Sequence, residues 1–267
     1  MSSINPYVAR LLIYPIKSLD PLDCDRVAIL RSGALKGDRS WAIFDREGKF
    51  VNGKRNQKIH ALRSKFDLAS NILTLRIQDT DETREFNLNE SDFESRHEVS
   101  NWLEEYFGFP VEIKQNLEMG FPDDTASPGA TIISTATIEA IASWYPELNT
   151  ENIRHRFRAN IEIAGVPAFW EDQLFTTPEK TVTFKIGDVE FIGVNPCQRC
   201  VVVTRDPDTG QPFPQFQKTF IEQRKITLPE WSERSRFNHF FQLAVNTRVS
   251  PTEAGKVISL GDQVIIN

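Results

Sequence analysis

Short apolar runs with a period of two, each closed by a turn signal, recur along both halves of this chain and constrain its fold more than any other feature. Residues 8–14, 26–30 and 41–44 each read as a strand, the last ending at Asp45-Arg46-Glu47-Gly48. Leu73-Thr74-Leu75-Arg76-Ile77 repeats the alternation. Side chains two apart share one face of a strand, so such runs are buried only when a sheet packs against another sheet or a helix. Helical spacing is confined to a few segments. Val99, Trp102, Leu103, Tyr106 and Phe107 recur at three and four before Gly108, with Ser91 and Glu94 as a capping box. Ser134 is placed to cap a second helix through Ile138, Ile141 and Tyr145. The expected fold class is mainly β with accessory helices (α+β).

Residues 116–129, with Met119-Gly120-Phe121-Pro122-Asp123-Asp124 and Ser127-Pro128-Gly129, are rich in turn formers and read as a crossing between two lobes, 1–115 and 116–267. In the second lobe, residues 184–191 and 258–265 echo each other: apolar positions, Gly-Asp, and apolar positions again. Gly-Asp suits a tight turn, so each segment is expected to be a hairpin. Two copies fall short of the three that a solenoid needs. Between them, Asn195-Pro196-Cys197-Gln198-Arg199 leads into Val201-Val202-Val203-Thr204, which reads as a β-branched strand ending at Asp206-Pro207-Asp208-Thr209-Gly210. Cys200 is thus expected where a loop enters a strand. The second lobe reads as a mostly antiparallel barrel whose loops gather the functional groups.

The chain has 267 residues, 40% hydrophobic and 25% charged, which is ordinary globular composition. No run approaches the roughly 18 apolar residues that span a bilayer, and residues 1–9 lack a basic stretch followed by an apolar one. A cytoplasmic protein with no membrane association is expected. The net charge of -6 argues against non-specific nucleic-acid binding, which depends on clustered Lys and Arg. Trp41, Phe44, Trp102, Phe107, Phe237, Phe240 and Phe241 fall at strand or helix spacing and read as core.

Three cysteines, Cys24, Cys197 and Cys200, are too few for a disulfide scaffold. The Cys-x-x-Cys stretch is open to several readings. Structural zinc needs further ligands, whereas His60, His97, His155 and His239 are scattered singly. A dithiol redox pair usually opens a helix, and here a strand is expected to follow. A single soft thiolate beside Arg199 suits a soft transition metal or nucleophilic sulfur chemistry, and two buried cysteines acting as small hydrophobes would need neither.

Ile13-Tyr14-Pro15-Ile16-Lys17-Ser18, Gly37-Asp38-Arg39-Ser40-Trp41, Arg156-Phe157-Arg158-Ala159-Asn160-Ile161, and Cys197-Gln198-Arg199-Cys200 followed by Asp206-Pro207-Asp208-Thr209-Gly210 occur in this order. That succession resembles a MOSC protein with its N-terminal β-barrel domain, similar to the amidoxime-reducing components and the C-terminal part of molybdenum cofactor sulfurases. The resemblance spans nearly the whole chain. It implies an N-terminal β-barrel-like domain, a C-terminal MOSC β-barrel, and molybdenum cofactor held by a pterin dithiolene and one cysteine. The second cysteine of the pair matches that ligand, so Cys200 is the implied metal ligand and catalytic residue. Lys17, Ser18, Arg39, Ser127, Arg158, Asn160 and Arg199 are the implied cofactor-binding set. Cations suit the pterin phosphate, and the Asn160 amide can both donate and accept. Ala159 stands where relatives often have Pro, and Ala126 where some have Thr.

The implied activity is reduction of N-hydroxylated or N-oxide small molecules. No four-cysteine iron–sulfur set and no Gly-rich turn from a strand into a helix occurs, so electrons are expected from a separate ferredoxin- or flavoprotein-type donor. The alternative is a molybdenum cofactor or persulfide sulfur carrier. Either way, the cleft is expected to bring Lys17, Arg39 and Arg158 near Cys200.

Overall fold

The computed structural model describes residues 5–89 and 93–266. Fifteen strands and four helices of eight or more residues are seen among them. The first half holds β1 (Tyr7–Ile13), β2 (Leu22–Asp23), β3 (Arg26–Ala28), β4 (Trp41–Asp45), β5 (Leu62–Asp67), β6 (Ile72–Ile77), β7 (Thr83–Asn87), α1 (Phe93–Phe107) and β8 (Val111–Gln115). The second holds β9 (Ile132–Ser134), α2 (Thr135–Ala142), α3 (Thr150–Phe157), β10 (Ile161–Ala164), β11 (Val182–Ile186), β12 (Val189–Gln198), α4 (Phe216–Ile226), β13 (Gln242–Val249), β14 (Val257–Ser259) and β15 (Val264–Ile266). The molecule is mainly β with accessory helices.

An eight-stranded sheet runs β15-β11-β12-β13-β9-β10-β1-β2. Its β1 belongs to the first half of the chain yet pairs antiparallel with β10, Leu11 opposite Ile161. Likewise β3 pairs with β14 near the other end of the chain. The apolar core under this sheet therefore mixes Val8, Leu11, Ile13, Val27, Ile29 and Leu35 with Phe184, Phe191 and Val245. A second core lies within the first half, where Ile16, Leu19, Trp41, Leu62 and Leu75 meet Val99 and Leu103 of α1. A third packs α2, α3 and α4 through Ile138, Phe157 and Phe220 onto Phe241 and Leu243. Burying a Leu, Ile or Phe contributes about 1.5–3 kcal/mol, so each core can hold its own elements in place. After β1 the chain passes from the first core to the second between Ile13 and Ile16, and Lys17 lies at that crossing.

Four local readings meet the structure differently. The segment 184–191 is the expected hairpin, β11 paired with β12. The echo at 258–265 is not one: β14 pairs with β3, and β15 pairs with β11, Ile265 opposite Lys185. Three-residue strands form too few mutual bonds to stand alone, and each finds a better edge. The Ser134 side chain accepts from the Thr137 amide at 3.1 Å, as a helix cap should, but α2 ends at Ala142 and leaves Tyr145 beyond it, stacked 4.6 Å from Phe216. The capping box at Ser91 and Glu94 lies outside the described residues and side chains.

The fourth difference bears on the site. Val201–Thr204 is a 3-10 turn, not a strand. Arg156 Nη1 donates to Val203 O within it at 3.1 Å and to Arg205 O just past it at 2.5 Å. Only Val203 packs into a core, while Val201 is exposed. A tertiary hydrogen-bond donor has overridden the β preference of three consecutive valines.

Candidate functional site

The end of β1 delivers Tyr14, and the Gly37–Ser40 loop wraps around it. Asp38 Oδ1 accepts from the Tyr14 amide at 2.8 Å, and the Arg39 amide donates to Tyr14 O at 2.7 Å. Lys17 is tied in by its own amide, which donates to Trp41 O at 2.8 Å. Arg158 arrives from the other half of the chain as the left-handed cap of α3, its amide donating to Arg154 O. Its guanidinium lies 4.0 Å from the centre of the Tyr14 ring, and that of Arg39 lies 5.1 Å from the same centre.

Ser18, Arg39 and Arg158 have φ of 73°, 48° and 53°. They are three of eight non-glycine residues with positive φ among the described residues. An L-residue pays roughly 1–2 kcal/mol there, and such strain concentrates where a side chain must be aimed.

The charge arrangement is uneven. Arg39 pairs with Asp38, which offsets the effect of burial and holds its guanidinium above its ordinary pKa. Among the described residues, the hydrogen bond seen for the Arg158 guanidinium runs from Nη2 to Leu19 O at 2.7 Å. Burial, with Arg39 nearby, pushes its pKa down. Lys17 is 7% exposed; its Nζ reaches Phe121 O at 2.9 Å and Asp123 Oδ1 at 2.5 Å, and sits 4.7 Å from the Phe50 ring centre. Burial lowers its pKa too, against the pull of Asp123. The buried Tyr14 hydroxyl donates to Ala159 O, and burial pushes its pKa up to about 12 against the two guanidiniums.

The cysteine stretch approaches from β12. Its pairing with β13 slips between Pro196 and Gln198, where Leu243 and Ala244 face the single residue Cys197. Ala244 takes φ 65° in this bulge, a device that re-aims a strand beside a functional site. Arg199 Nη1 donates to the half-buried Cys197 Sγ at 3.1 Å and Nη2 to Phe157 O. Cys200 is exposed and caps the 3-10 turn, its carbonyl accepting from the Val203 amide. Arg199 therefore ties the cysteines to the end of α3, one residue from Arg158.

The following loop docks on the first half of the chain. Arg205 Nη1 donates to Gly53 O at 2.8 Å, and Arg63 Nη1 bridges Asp208 at 2.8 Å and Asp20 at 3.3 Å. His60 is buried here, and burial lowers its pKa, favouring the neutral imidazole. A Cβ on Gly53 would lie 2.5 Å from His60 Nε2, so the close approach requires glycine.

Of the residues expected from sequence, Lys17, Arg39 and Arg158 form one cluster, with Ser18 next to Lys17. Arg199 bonds the carbonyl of Phe157, the residue before Arg158, and Cys200 follows Arg199; among the described residues, the contacts seen do not join Cys200 itself to the three cations. Asn160 is committed within the protein: its amide donates to Leu12 O at 3.0 Å and Asp38 Oδ1 at 3.2 Å, and its carbonyl accepts from the Thr131 amide at 3.1 Å. Ser127 is buried at 6% exposure with an unpartnered hydroxyl, and Arg199 Nε is likewise unpartnered. Sequence reasoning passed over Tyr14, Asp38, Asp123 and Arg156. All four lay inside quoted segments, but no spacing pattern singles them out from their neighbours.

Family models match nearly the whole chain: the MOSC domain over residues 129–265 and the MOSC N-terminal beta barrel domain over residues 5–110. The chain belongs to the MOSC family. It is 24% identical to human molybdenum cofactor sulfurase over 85% of its length and 30% of that protein's. It is 26% identical to human mitochondrial amidoxime reducing component 2 over 76% of its length and 68% of that protein's. The bovine form of the latter is 27% identical over 76% of this chain and 67% of its own length. The MOSC protein thus spans about a third of the sulfurase relatives and about two thirds of the reducing components. Among its described residues no helix is long and apolar enough to cross a membrane, and no three His, Cys, Asp or Glu converge as a metal site.

Proposed function

We propose that this MOSC protein binds molybdenum cofactor and reduces N-hydroxylated or N-oxide small molecules, taking electrons from a separate ferredoxin- or flavoprotein-type donor. The observation that carries the reading is the convergence of Lys17, Arg39 and Arg158, from both halves of an acidic chain, on one strained site reached by the cysteine stretch. The residues fit the group. Three cations suit a phosphate, the unpartnered Ser127 hydroxyl and Arg199 Nε are buried donors that a polar ligand would satisfy, and an exposed thiol suits a soft metal.

In this reading Lys17, Ser18, Arg39 and Arg158 hold the phosphate and pterin, Arg199 fixes the approach of Cys200, and Cys200 ligates the metal. Asn160 acts through Asp38, fixing Arg39. When bound, the cofactor supplies a metal centre that exchanges an oxygen atom with substrate and takes up electrons. The net conversion, R–NHOH with two electrons and two protons to R–NH2 and water, draws both electrons from the donor protein. A second reading, a persulfide or cofactor carrier, draws on the exposure of Cys200 and the named sulfurase relatives.

Metal and pterin analysis of protein made in cells that synthesise the cofactor tests the reading. One molybdenum per chain is expected, lost in Cys200→Ser because a hydroxyl is a harder donor of far higher pKa, and retained in Cys197→Ser. Equal loss in both variants would overturn the ligand assignment. Added sulfur mass on Cys200 without metal would favour the carrier.

A further inference from the structure

The segment 116–129 does more than connect. The Asn116 amide donates to Ser40 O and the Phe121 amide to Arg39 O, both at 2.8 Å, so the segment is pinned along the loop that carries Arg39. Gly120, at φ 69°, makes this possible: a Cβ there would lie 2.5 Å from Asp38 O. Beyond it, the Phe121 carbonyl and the Asp123 carboxylate close over the Lys17 ammonium.

The pairing is lopsided. The Lys17 side chain is 7% exposed and that of Asp123 88%. Lys17 has nowhere to move, whereas Asp123 reaches in from the surface. Although its seat at the cleft pushes its carboxyl up, Lys17, Arg39 and Arg158 together hold it below its ordinary pKa. Of the acidic groups near the cluster, Asp38 is committed to Arg39, Tyr14 and Asn160, whereas among the described residues the one hydrogen bond seen for the Asp123 carboxylate is to Lys17.

We propose that Asp123 is an intramolecular stand-in for the anionic group of the ligand, occupying the anion position beside Lys17 until a phosphate monoester displaces it. The proposal rests on the cofactor-binding reading and adds regulation of that site. A tethered carboxylate competes with any external anion by the same factor, because the site must first open whatever then enters. Loss of the carboxylate removes that factor. By contrast, removal of a distant negative charge would favour a dianion about twice as strongly, in logarithmic terms, as a monoanion.

The test measures dissociation constants by titration calorimetry for sulfate, a dianion at all working pH values, and for methanesulfonate, a monoanion. It compares the cofactor-free protein with Asp123→Asn, with the exposed same-segment control Glu118→Gln, and with Lys17→Met. Asp123→Asn is expected to tighten both anions by one common factor, about tenfold if the open arrangement is populated about one part in ten. Glu118→Gln should match the unaltered protein, and Lys17→Met should abolish binding of both anions. Unchanged affinity in Asp123→Asn would overturn the stand-in while leaving the cation site in place. Tightening confined to sulfate, or shared by Glu118→Gln, would also overturn it. Absence of anion binding in every variant would overturn both this proposal and the phosphate site beneath it.

Discussion

Replacing Arg156 with methionine should destabilise the protein and loosen Cys200, because one buried guanidinium holds the turn that the Cys200 carbonyl caps. The Arg156 side chain has no solvent exposure, and its Nε and Nη1 reach Asn152 Oδ1, Val203 O and Arg205 O. Methionine keeps much of the bulk between Phe213 and Phe216, against which the guanidinium packs at 5.4 and 5.0 Å. Loss of the donor leaves the Val203 carbonyl without its buried partner, at about 1–3 kcal/mol, and the half-buried Arg205 carbonyl at less, since water can reach it. Relief works the other way: burial lowers the pKa of Arg156, Nη2 has no hydrogen-bond partner, and its nearest carboxylate oxygen, on Asp206, is 4.0 Å away. The net cost is about 2–4 kcal/mol, and at about 2–4 °C per kcal/mol for a chain of this size the melting temperature falls by about 5–15 °C. Peptide-resolved alkylation should show Cys200 reacting faster, with Cys24 unchanged as internal control. A fall below about 2 °C, with an unchanged Cys200 rate, would refute the claim that Arg156 imposes the turn.

Two further outcomes follow from the chemistry. Cofactor-loaded protein should reduce a model N-hydroxylated compound with an artificial one-electron donor but not with NADH or NADPH alone; steady turnover on nicotinamide in pure protein would refute the need for a separate donor. Glu171 is buried, and burial with Asp172 nearby raises its carboxyl to about 7. The folded state therefore keeps a proton that the unfolded chain releases from about pH 4.5, so stability from this group is full below that pH, falls until about pH 7 and is then level. Urea midpoints should show Glu171→Gln gaining on the unaltered protein between about pH 5 and pH 8, by up to about 3 kcal/mol; a gap independent of pH would sink the assignment.

Where sequence pattern and local bonding agree, the fold was legible. The 184–191 hairpin and β6 follow from alternation and turn chemistry, because each pairs with its neighbour in sequence, while β1 and β4 follow from alternation alone, their partners β10 and β8 being distant. Reading failed where a distant group decided. The valines at 201–203 look like a strand until Arg156 takes the Val203 and Arg205 carbonyls and the turn closes on itself, Thr204 and Arg205 donating to Val201 O and Val202 O. The 258–265 echo looks like a hairpin until β3 and β11 offer better edges. Short-range pattern carries no information about which edge is unpaired elsewhere in the chain.

The site was legible as a set of residue types but not as an arrangement. Ordered motifs marked Lys17, Arg39 and Arg158, yet nothing in them said that Tyr14 would lie under two guanidiniums, or that Asn160 would spend its amide on Leu12 and Asp38. Both facts arise from one cause: β1 leaves the first half of the chain to pair with β10 in the second. That single crossing puts the Lys17-bearing turn beside the end of α3 and makes the strained φ values at Ser18, Arg39 and Arg158 parts of one structure. The left-handed cap at Arg158 can persist because Leu19 O, from the other half of the chain, receives its guanidinium. Occupation of this cluster by a ligand would therefore be coupled to the integrity of the two halves through the same bonds. A ligand that holds Lys17, Arg39 and Arg158 together stabilises the crossing itself, by an amount set by its occupancy.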